Sequence, residues 1–260
     1  MQFRKFEDLS ELEKLSLIDI SYSRLDTYET CPAKYFYTYI QKEDRLFGPA
    51  AALGNIVHRV LEMSVGEEDV ELSDMLMLFD ESRQIYDPDS LIDQELLDVG
   101  TGLLVEYVDR HGEEKIQVLG KEQAFSLIIG SARVNGYIDR VDLEPNDMIR
   151  VVDYKTGKME IAAKDAAQNL QLGIYALATA ERYPGHDIYA ELYYLRTGRK
   201  KGHLFTYENL EAVYDRVLTQ VNTIINDRSF RPTDQVRPCT YCDHQKSGAC
   251  PAGRARIRRR

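Results

Sequence analysis

Tryptophan is missing from this sequence, cysteine occurs only four times, and long apolar runs are lacking. The 260 residues contain no run of 18 apolar residues, whereas a membrane-spanning helix needs about 20, so no membrane segment is predicted. Residues 1–15 lack the apolar core of a secretion signal, which predicts a cytoplasmic protein. No internal repeat is found, and a content of 43% hydrophobic and 29% charged residues excludes a disordered or fibrous chain.

Negative charge exceeds positive charge, with 43 acidic against 33 basic residues and a formal net charge of −10. As an average, this acidity argues against a nucleic-acid partner. It is concentrated, however, in residues 62–114, with 17 acidic residues against two arginines, while residues 228–260 carry a net charge of +7. The basic tail is typical either of a phosphate-contacting segment or of a disordered end. The acidic segment is ordinarily a solvated helical face; the alternatives are that it repels DNA from one side or binds a basic partner.

The spacing of apolar residues changes from a helical period to a strand period at about residue 117. A capping-box pattern at Ser23 predicts the start of a helix. The other predicted elements are helices over 50–63, 70–81 and 91–109, strands over 117–129, 131–143 and 148–155, a helix over 162–183, a strand over 188–196, a basic turn over 197–202, a strand over 203–207 and a helix over 208–227. We therefore expect one mixed α/β domain over residues 1–260, made of N-terminal helices (20–65), an acidic helical insertion (66–114), a core (115–227) and a cysteine-bearing basic tail (228–260).

Two acidic residues and a lysine meet at neighbouring predicted strands. Asp153 and Lys155 share one face of a strand because side chains at i and i+2 point the same way. The preceding hairpin strand carries Asp139, which we expect beside Asp153. Two adjacent carboxylates repel each other unless a cation lies between them, and carboxylate oxygens suit Mg²⁺ or Mn²⁺. The alternative is an ordinary cross-strand salt bridge between Lys155 and Asp139.

Two helical features add to this pattern. His58 lies on the predicted helix before the strands, although an isolated helical histidine is more often a core or surface residue than a ligand. Gln168, Gln171 and Tyr175 fall at i, i+3 and i+7 of the later helix, which predicts one polar stripe whose simplest partner is solvent.

The order of these motifs resembles the RecB-type branch of the PD-(D/E)XK nuclease superfamily, especially AddB-like nuclease domains and CRISPR-associated adaptation nucleases. The resemblance spans about residues 20–250 and implies a restriction-endonuclease-like mixed sheet flanked by helices. It also implies that the metal ligands are His58, Asp139, Asp153 and the Tyr154 carbonyl. Lys155 would orient or activate the attacking water, while Gln171 and Tyr175 would support the site and contact DNA.

The four cysteines are Cys31, Cys239, Cys242 and Cys250. The Cys239–Cys242 spacing lets two thiolates bind one centre, so the four residues suit either a tetrahedral Zn²⁺ or a [4Fe–4S] cluster. Disulfides are the weakest interpretation because nothing indicates an oxidising compartment. The resemblance favours the cluster, with one early cysteine joined to three late ones in a stabilising rather than a redox role.

The expected function is that of a metal-dependent DNA nuclease, an exonuclease on single-stranded DNA or DNA ends, in DNA repair, recombination or CRISPR adaptation. The alternatives are an endonuclease or flap nuclease with the same site, a non-catalytic iron–sulfur DNA-binding module, and a zinc-stapled scaffold. The sequence has no phosphate-binding helicase motif, so unwinding would require a helicase partner. Candidate DNA contacts are Arg24, Tyr28, Arg199 and Lys200.

Overall fold

The computed structural model describes residues 4–42, 48–67, 70–111 and 117–252. The arginine-rich end of the predicted basic tail, residues 253–260, lies outside the described residues. The chain forms two compact units, the first from residues 1–46, 126–136 and 214–260 and the second from residues 47–125 and 137–213. Within the described ranges, none of the helices has the length and apolar character needed to cross a membrane.

Between residues 49 and 226 the elements follow the predicted succession of helices and strands, whereas the short elements at residues 11–20 and 236–247 were not predicted. The helices are α1 (Glu11–Ser16), α2 (Tyr22–Thr30), α3 (Pro32–Tyr35), α4 (Pro49–Ser64), α5 (Leu72–Tyr86), α6 (Gln94–His111), α7 (Leu170–Arg182), α8 (Tyr207–Asn226), α9 (Val236–Thr240) and α10 (Asp243–Ser247). The strands are β1 (Ile18–Ile20), β2 (Gln117–Ile129), β3 (Ala132–Leu143), β4 (Ile149–Lys155), β5 (Ile188–Tyr194) and β6 (Arg199–Phe205). Short 3₁₀ turns cover Phe6–Asp8 and Ala163–Gln168, and a π-helical turn covers Phe36–Ile40.

The second unit contains a mixed sheet. β3 pairs antiparallel with β4, β4 pairs parallel with β5, and β5 pairs antiparallel with β6. Helix α7 packs against β4 and β5, whereas α4, α5 and α6 share a core with Val152 and Tyr154 of β4. Successive strand residues point to opposite faces, so Asp153 and Lys155 lie on the face opposite Tyr154. The expected fold class, a mixed sheet flanked by helices, is confirmed.

The acidic segment contributes to this core. Phe79 of α5 and Leu104 of α6 are buried with Leu53 of α4. Gly100 permits the close approach of α6, because a Cβ there would lie 2.5 Å from Leu53 Cδ1 and 2.8 Å from the Phe79 ring. The acidic segment therefore supplies much of the apolar core that packs against Val152 and Tyr154 of β4.

The first unit joins the N-terminal helices to the tail. β1 pairs parallel with the start of β3. The Tyr35 and Phe230 rings are stacked with centroids 6.2 Å apart, and the Tyr28 hydroxyl donates to Asp227 Oδ2 at 2.8 Å. These contacts hold the residues around Cys31 against the segment that follows α8.

Several predicted boundaries differ from the observed ones, and three of the differences have a clear local cause. Helix α2 begins at Tyr22 and is capped by Ser21, because the Ser21 hydroxyl accepts from the Arg24 N–H; Ser23 is therefore not the cap. The helix predicted over 162–183 is divided at Asn169, which caps α7 by accepting from the Leu172 N–H. The predicted basic turn is shorter, since Gly198, at φ +68°, reverses the chain and β6 begins at the next residue.

Candidate active site and metal centre

Strand β4 places a carboxylate and an ammonium group side by side. Lys155 Nζ lies 2.6 Å from Asp153 Oδ2. Gln171 of α7 joins them, because its Oε1 accepts from Lys155 Nζ at 2.8 Å and its Nε2 donates to Asp153 Oδ1 at 2.7 Å. Gln171 Nε2 also donates to the Tyr175 hydroxyl at 3.0 Å. The structure thus brings together four of the residues predicted from sequence.

A second group of side chains offers metal ligands. His58 of α4, Glu122 of β2 and Asp139 of β3 have ligand atoms that all lie within 4.8 Å of one another. His58 Nδ1 is 3.4 Å from Asp139 Oδ2, and the Tyr154 N–H donates to the same oxygen at 2.7 Å. One imidazole and two carboxylates suit Mn²⁺ or Mg²⁺, so the residues present fit a divalent cation. Among the described residues this group does not include Asp153, which contacts Lys155 and Gln171.

In the absence of a cation, burial and mutual repulsion raise the pKa values of the carboxyl groups in this site. Burial raises the pKa of Asp153 to about 6, against the opposing effect of Lys155 and with a further increase from Asp139. Burial also raises the pKa of Glu122, and the Asp139 carboxylate adds to the increase. Burial disfavours the charged form of His58, but its hydrogen bond to Asp139 and the surrounding carboxylates raise its pKa. These shifts favour the protonated forms of the carboxyl groups and of the imidazole, and a bound divalent cation would favour their deprotonated forms.

Glu122 is the site residue that sequence reasoning missed. It lies at φ +44°, an uncommon conformation for a residue other than glycine. This conformation disturbs the strand alternation, so a period of two does not reveal where the side chain points. The signal in the sequence that could have identified Glu122 is that it is an acidic residue on β2, the strand that precedes β3 and Asp139.

The predicted polar stripe on the later helix is wrong for Gln168. That residue lies in the 3₁₀ turn before Asn169, whereas Gln171 and Tyr175 lie on α7. The break in the helix at Asn169 therefore separates Gln168 from the helical spacing that Gln171 and Tyr175 share.

The predicted DNA contacts lie in different surroundings. Tyr28 is buried and its hydroxyl is bound to Asp227, which leaves little of its ring exposed to nucleic acid. Arg24 donates to the Asp19 carbonyl, Arg199 is exposed, and Lys200 lies 5.1 Å from the centroid of a tyrosine ring. Contacts of these residues with DNA stay predictions.

The four cysteines of the first unit line one cavity of about 180 Å³. None of these four described residues is in a disulfide; three of them are buried and Cys242 is half-buried. The Thr233 N–H donates to Cys31 Sγ at 3.4 Å, and the Cys242 N–H donates to the Cys239 carbonyl at 3.2 Å. Four sulfur donors around one cavity fit either a Zn²⁺ ion or a [4Fe–4S] cluster.

Comparisons with known proteins find similarity at the level of the family and of the fold. The family model of the PD-(D/E)XK nuclease superfamily matches residues 19–251. An ATP-dependent helicase/deoxyribonuclease subunit of Carboxydothermus hydrogenoformans is 31% identical over 62% of this chain, and the match spans 18% of that longer protein. A solved structure from Eubacterium rectale, described as a candidate exonuclease, aligns with a TM-score of 0.54 at 13% identity, covering 95% of this chain and 93% of the other. At that identity the likeness concerns the fold alone.

Proposed function

The chain belongs to the PD-(D/E)XK nuclease superfamily, and on this basis we propose that it is a metal-dependent deoxyribonuclease that acts on single-stranded DNA or DNA ends. The observation that carries the proposal is the bridge made by Gln171 between Lys155 and Asp153, set beside the converging ligands His58 and Asp139. An ammonium group and a set of cation ligands near the end of β4 are the components that phosphodiester hydrolysis requires.

The residues that would hold Mg²⁺ or Mn²⁺ are His58, Glu122 and Asp139, with Asp153 and the Tyr154 carbonyl as further ligands. When bound, the cation would polarise the phosphate and lower the pKa of a water molecule. The imidazole ligand makes Mn²⁺ more competitive with Mg²⁺ than a set of oxygen ligands would.

Lys155 supplies a positive charge where negative charge develops. Its side chain is 33% exposed, so the ammonium group is accessible to a phosphate or a water molecule while two partners hold it. It would place the attacking water or stabilise the phosphate oxygens. Gln171 fixes this position, because its amide must keep one orientation to accept from Lys155 and donate to Asp153 and Tyr175.

The preference for DNA, and a helicase partner, are supported by the relative named as a helicase/deoxyribonuclease subunit, of which this chain spans a small part. Because this sequence has no phosphate-binding helicase motif, a partner would supply the unwinding. Repair, recombination and CRISPR adaptation are the pathways in which such a nuclease would act.

The four cysteines would hold a [4Fe–4S] cluster, with Zn²⁺ as the alternative. What supports this is that Cys31 shares one cavity with three cysteines more than 200 positions later in the sequence. A centre bound there would join the tail to the N-terminal helices and stabilise the first unit.

The test is degradation of end-labelled linear single and double strands and of circular single strands, with Mg²⁺ or Mn²⁺. We expect cleavage of linear single strands that requires metal and is lost in Lys155→Ala. Cleavage of circles would identify an endonuclease instead. DNA binding without cleavage under both metals would favour a non-catalytic module and contradict the proposal.

A further inference from the structure

Tyr154 contacts both His58 and Asp139. It lies between Asp153 and Lys155 on β4, and its side chain belongs to the core shared with α4, α5 and α6. Its backbone N–H donates to Asp139 Oδ2 at 2.7 Å. Its ring stands edge-on to the His58 ring, with centroids 6.2 Å apart. The orientation of two candidate metal ligands therefore depends on where Tyr154 is held.

A buried arginine holds the far end of Tyr154. Arg140 Nη1 donates to the Tyr154 hydroxyl at 2.5 Å and to the Tyr107 hydroxyl at 2.9 Å. Arg140 Nε donates to Asp142 Oδ2 at 3.0 Å. All four side chains belong to residues that are at most 6% exposed. We call Arg140, Asp142, Tyr107 and Tyr154 the arginine–tyrosine network.

The network is costly to rearrange. A buried guanidinium without partners has a large desolvation penalty, so each hydroxyl and carboxylate that faces it is held in place. The Tyr107 and Tyr154 hydroxyls lie 3.4 Å apart, which brings the two phenols to one side of the arginine. Movement of Tyr154 along the strand would break these contacts together.

Tyr107 belongs to α6, within the acidic segment. Its hydroxyl therefore links that segment to the strand carrying Asp153 and Lys155, from the face of the sheet opposite these two side chains. This connection gives the acidic segment a role that requires no contact with DNA.

We propose that Tyr107 and Arg140 are positioning residues for the metal centre, a role that rests on the proposed function. They hold the Tyr154 hydroxyl and thereby fix the backbone N–H that orients Asp139 and the ring that borders His58. Residues that orient metal ligands commonly change metal affinity or activity by about 10–100-fold. The arginine–tyrosine network thus influences metal affinity from the face of the sheet opposite Asp153 and Lys155.

The experiment compares Mn²⁺ binding, measured without DNA from the electron paramagnetic resonance signal of free Mn²⁺, in the full chain and three variants. Tyr107→Phe and Tyr154→Phe each keep the ring and remove the hydroxyl bound to Arg140. Tyr193→Phe is the matched control, because Tyr193 is a buried tyrosine of the same core whose hydroxyl contacts His111 at 2.7 Å. Thermal unfolding of each variant reports on folding.

We expect about tenfold weaker Mn²⁺ binding in Tyr107→Phe and Tyr154→Phe, with cleavage partly restored at high Mn²⁺, and unchanged binding in Tyr193→Phe. Tyr154→Phe tests the same link from its other end if Tyr107→Phe does not fold. Wild-type affinity in the two test variants, or equal weakening in all three, overturns the positioning role and leaves the proposed function intact. A wild-type chain that binds no Mn²⁺ overturns the proposed function and this role with it.

Discussion

Lys155 Nζ lies 2.6 Å from Asp153 Oδ2, and the side-chain amide of Gln171 bridges the same pair from α7. The amide oxygen faces the ammonium group and the amide nitrogen faces the carboxylate. Helix α7 therefore helps to set the distance between the two groups at the end of β4.

Removal of the ammonium group should abolish most of the cleavage. We expect Lys155→Ala to reduce kcat by about 10²–10³-fold, because a positive charge next to the developing oxyanion is lost. Lys158→Ala, three residues later, is the control and should keep wild-type kcat. The measurement is the initial rate on linear single-stranded DNA at saturating Mn²⁺. Full activity of a folded Lys155→Ala protein would contradict the assignment.

The hydrogen bonds that Gln171 makes to Lys155 and Asp153 can be removed while the length of the side chain is kept. Gln171→Met keeps the length of the side chain and loses the hydrogen bonds to Lys155 and Asp153. We expect kcat to fall by about tenfold or more, since each of these charged groups loses a hydrogen bond of about 1.5–3 kcal/mol. Gln168→Met is the matched control, because Gln168 lies outside α7. An equal loss of kcat in both variants would contradict a specific role for the hydrogen bonds of Gln171.

Glu122 should contribute to metal affinity although no sequence motif contains it. Glu122→Gln replaces one of the three converging ligands with a neutral and weaker oxygen donor, so we expect the half-saturating Mn²⁺ concentration to rise about tenfold. Glu181→Gln, an exposed carboxylate at the end of α7, should leave it unchanged. The measurement is the Mn²⁺ dependence of cleavage. An unaltered Mn²⁺ dependence in Glu122→Gln would remove Glu122 from the metal centre.

The raised pKa of Asp153 makes stability depend on pH. Burial raises this pKa to about 6, above the value of about 3.9 for an unfolded chain, so the folded protein binds the proton more tightly. Without metal, this contribution favours folding at low pH and is lost as pH rises from about 4 to about 6.

Asp153→Asn should therefore unfold at a higher temperature than the wild type in EDTA at pH 8, by up to about 3 kcal/mol in the free energy of unfolding, with a smaller difference at pH 5. Added Mn²⁺ should stabilise the wild type more than the variant, which should not cleave DNA. Asp165→Asn, at an exposed position, controls for the loss of one negative charge. A destabilised Asp153→Asn at pH 8 would show that its contact with Lys155 outweighs burial.

The cysteine cavity should lose its bound iron–sulfur cluster when Cys31, the first of the four cysteines in the sequence, is replaced. Cys31→Ser should lose most of the iron per chain and unfold at a lower temperature, because the early and late cysteines are no longer joined. Thr30→Ser, at the adjacent position, should retain both. Metal analysis after anaerobic purification is the measurement. Zinc in place of iron would identify the alternative centre, and wild-type metal content in Cys31→Ser would exclude Cys31 as a ligand.

Much of the candidate site could be predicted because its residues follow local rules. Asp153 and Lys155 share a strand face through the period of two, and the short connection from β3 to β4 brings the strand of Asp139 alongside. Glu122 escaped prediction because its positive φ breaks that period, and Gln168 was misplaced because a side-chain cap at Asn169 divides an otherwise helical pattern.

Apolar periodicity and short connections in the sequence predict the elements between residues 49 and 226, the fold class and the face that Asp153 and Lys155 share. Only the folded chain shows that Glu122 meets His58, that Gln171 bridges Lys155 and Asp153, and that Tyr107 of the acidic segment reaches Tyr154 through Arg140. These contacts join residues from separate elements, and side-chain packing and buried hydrogen bonds select them, which no local pattern in the sequence encodes.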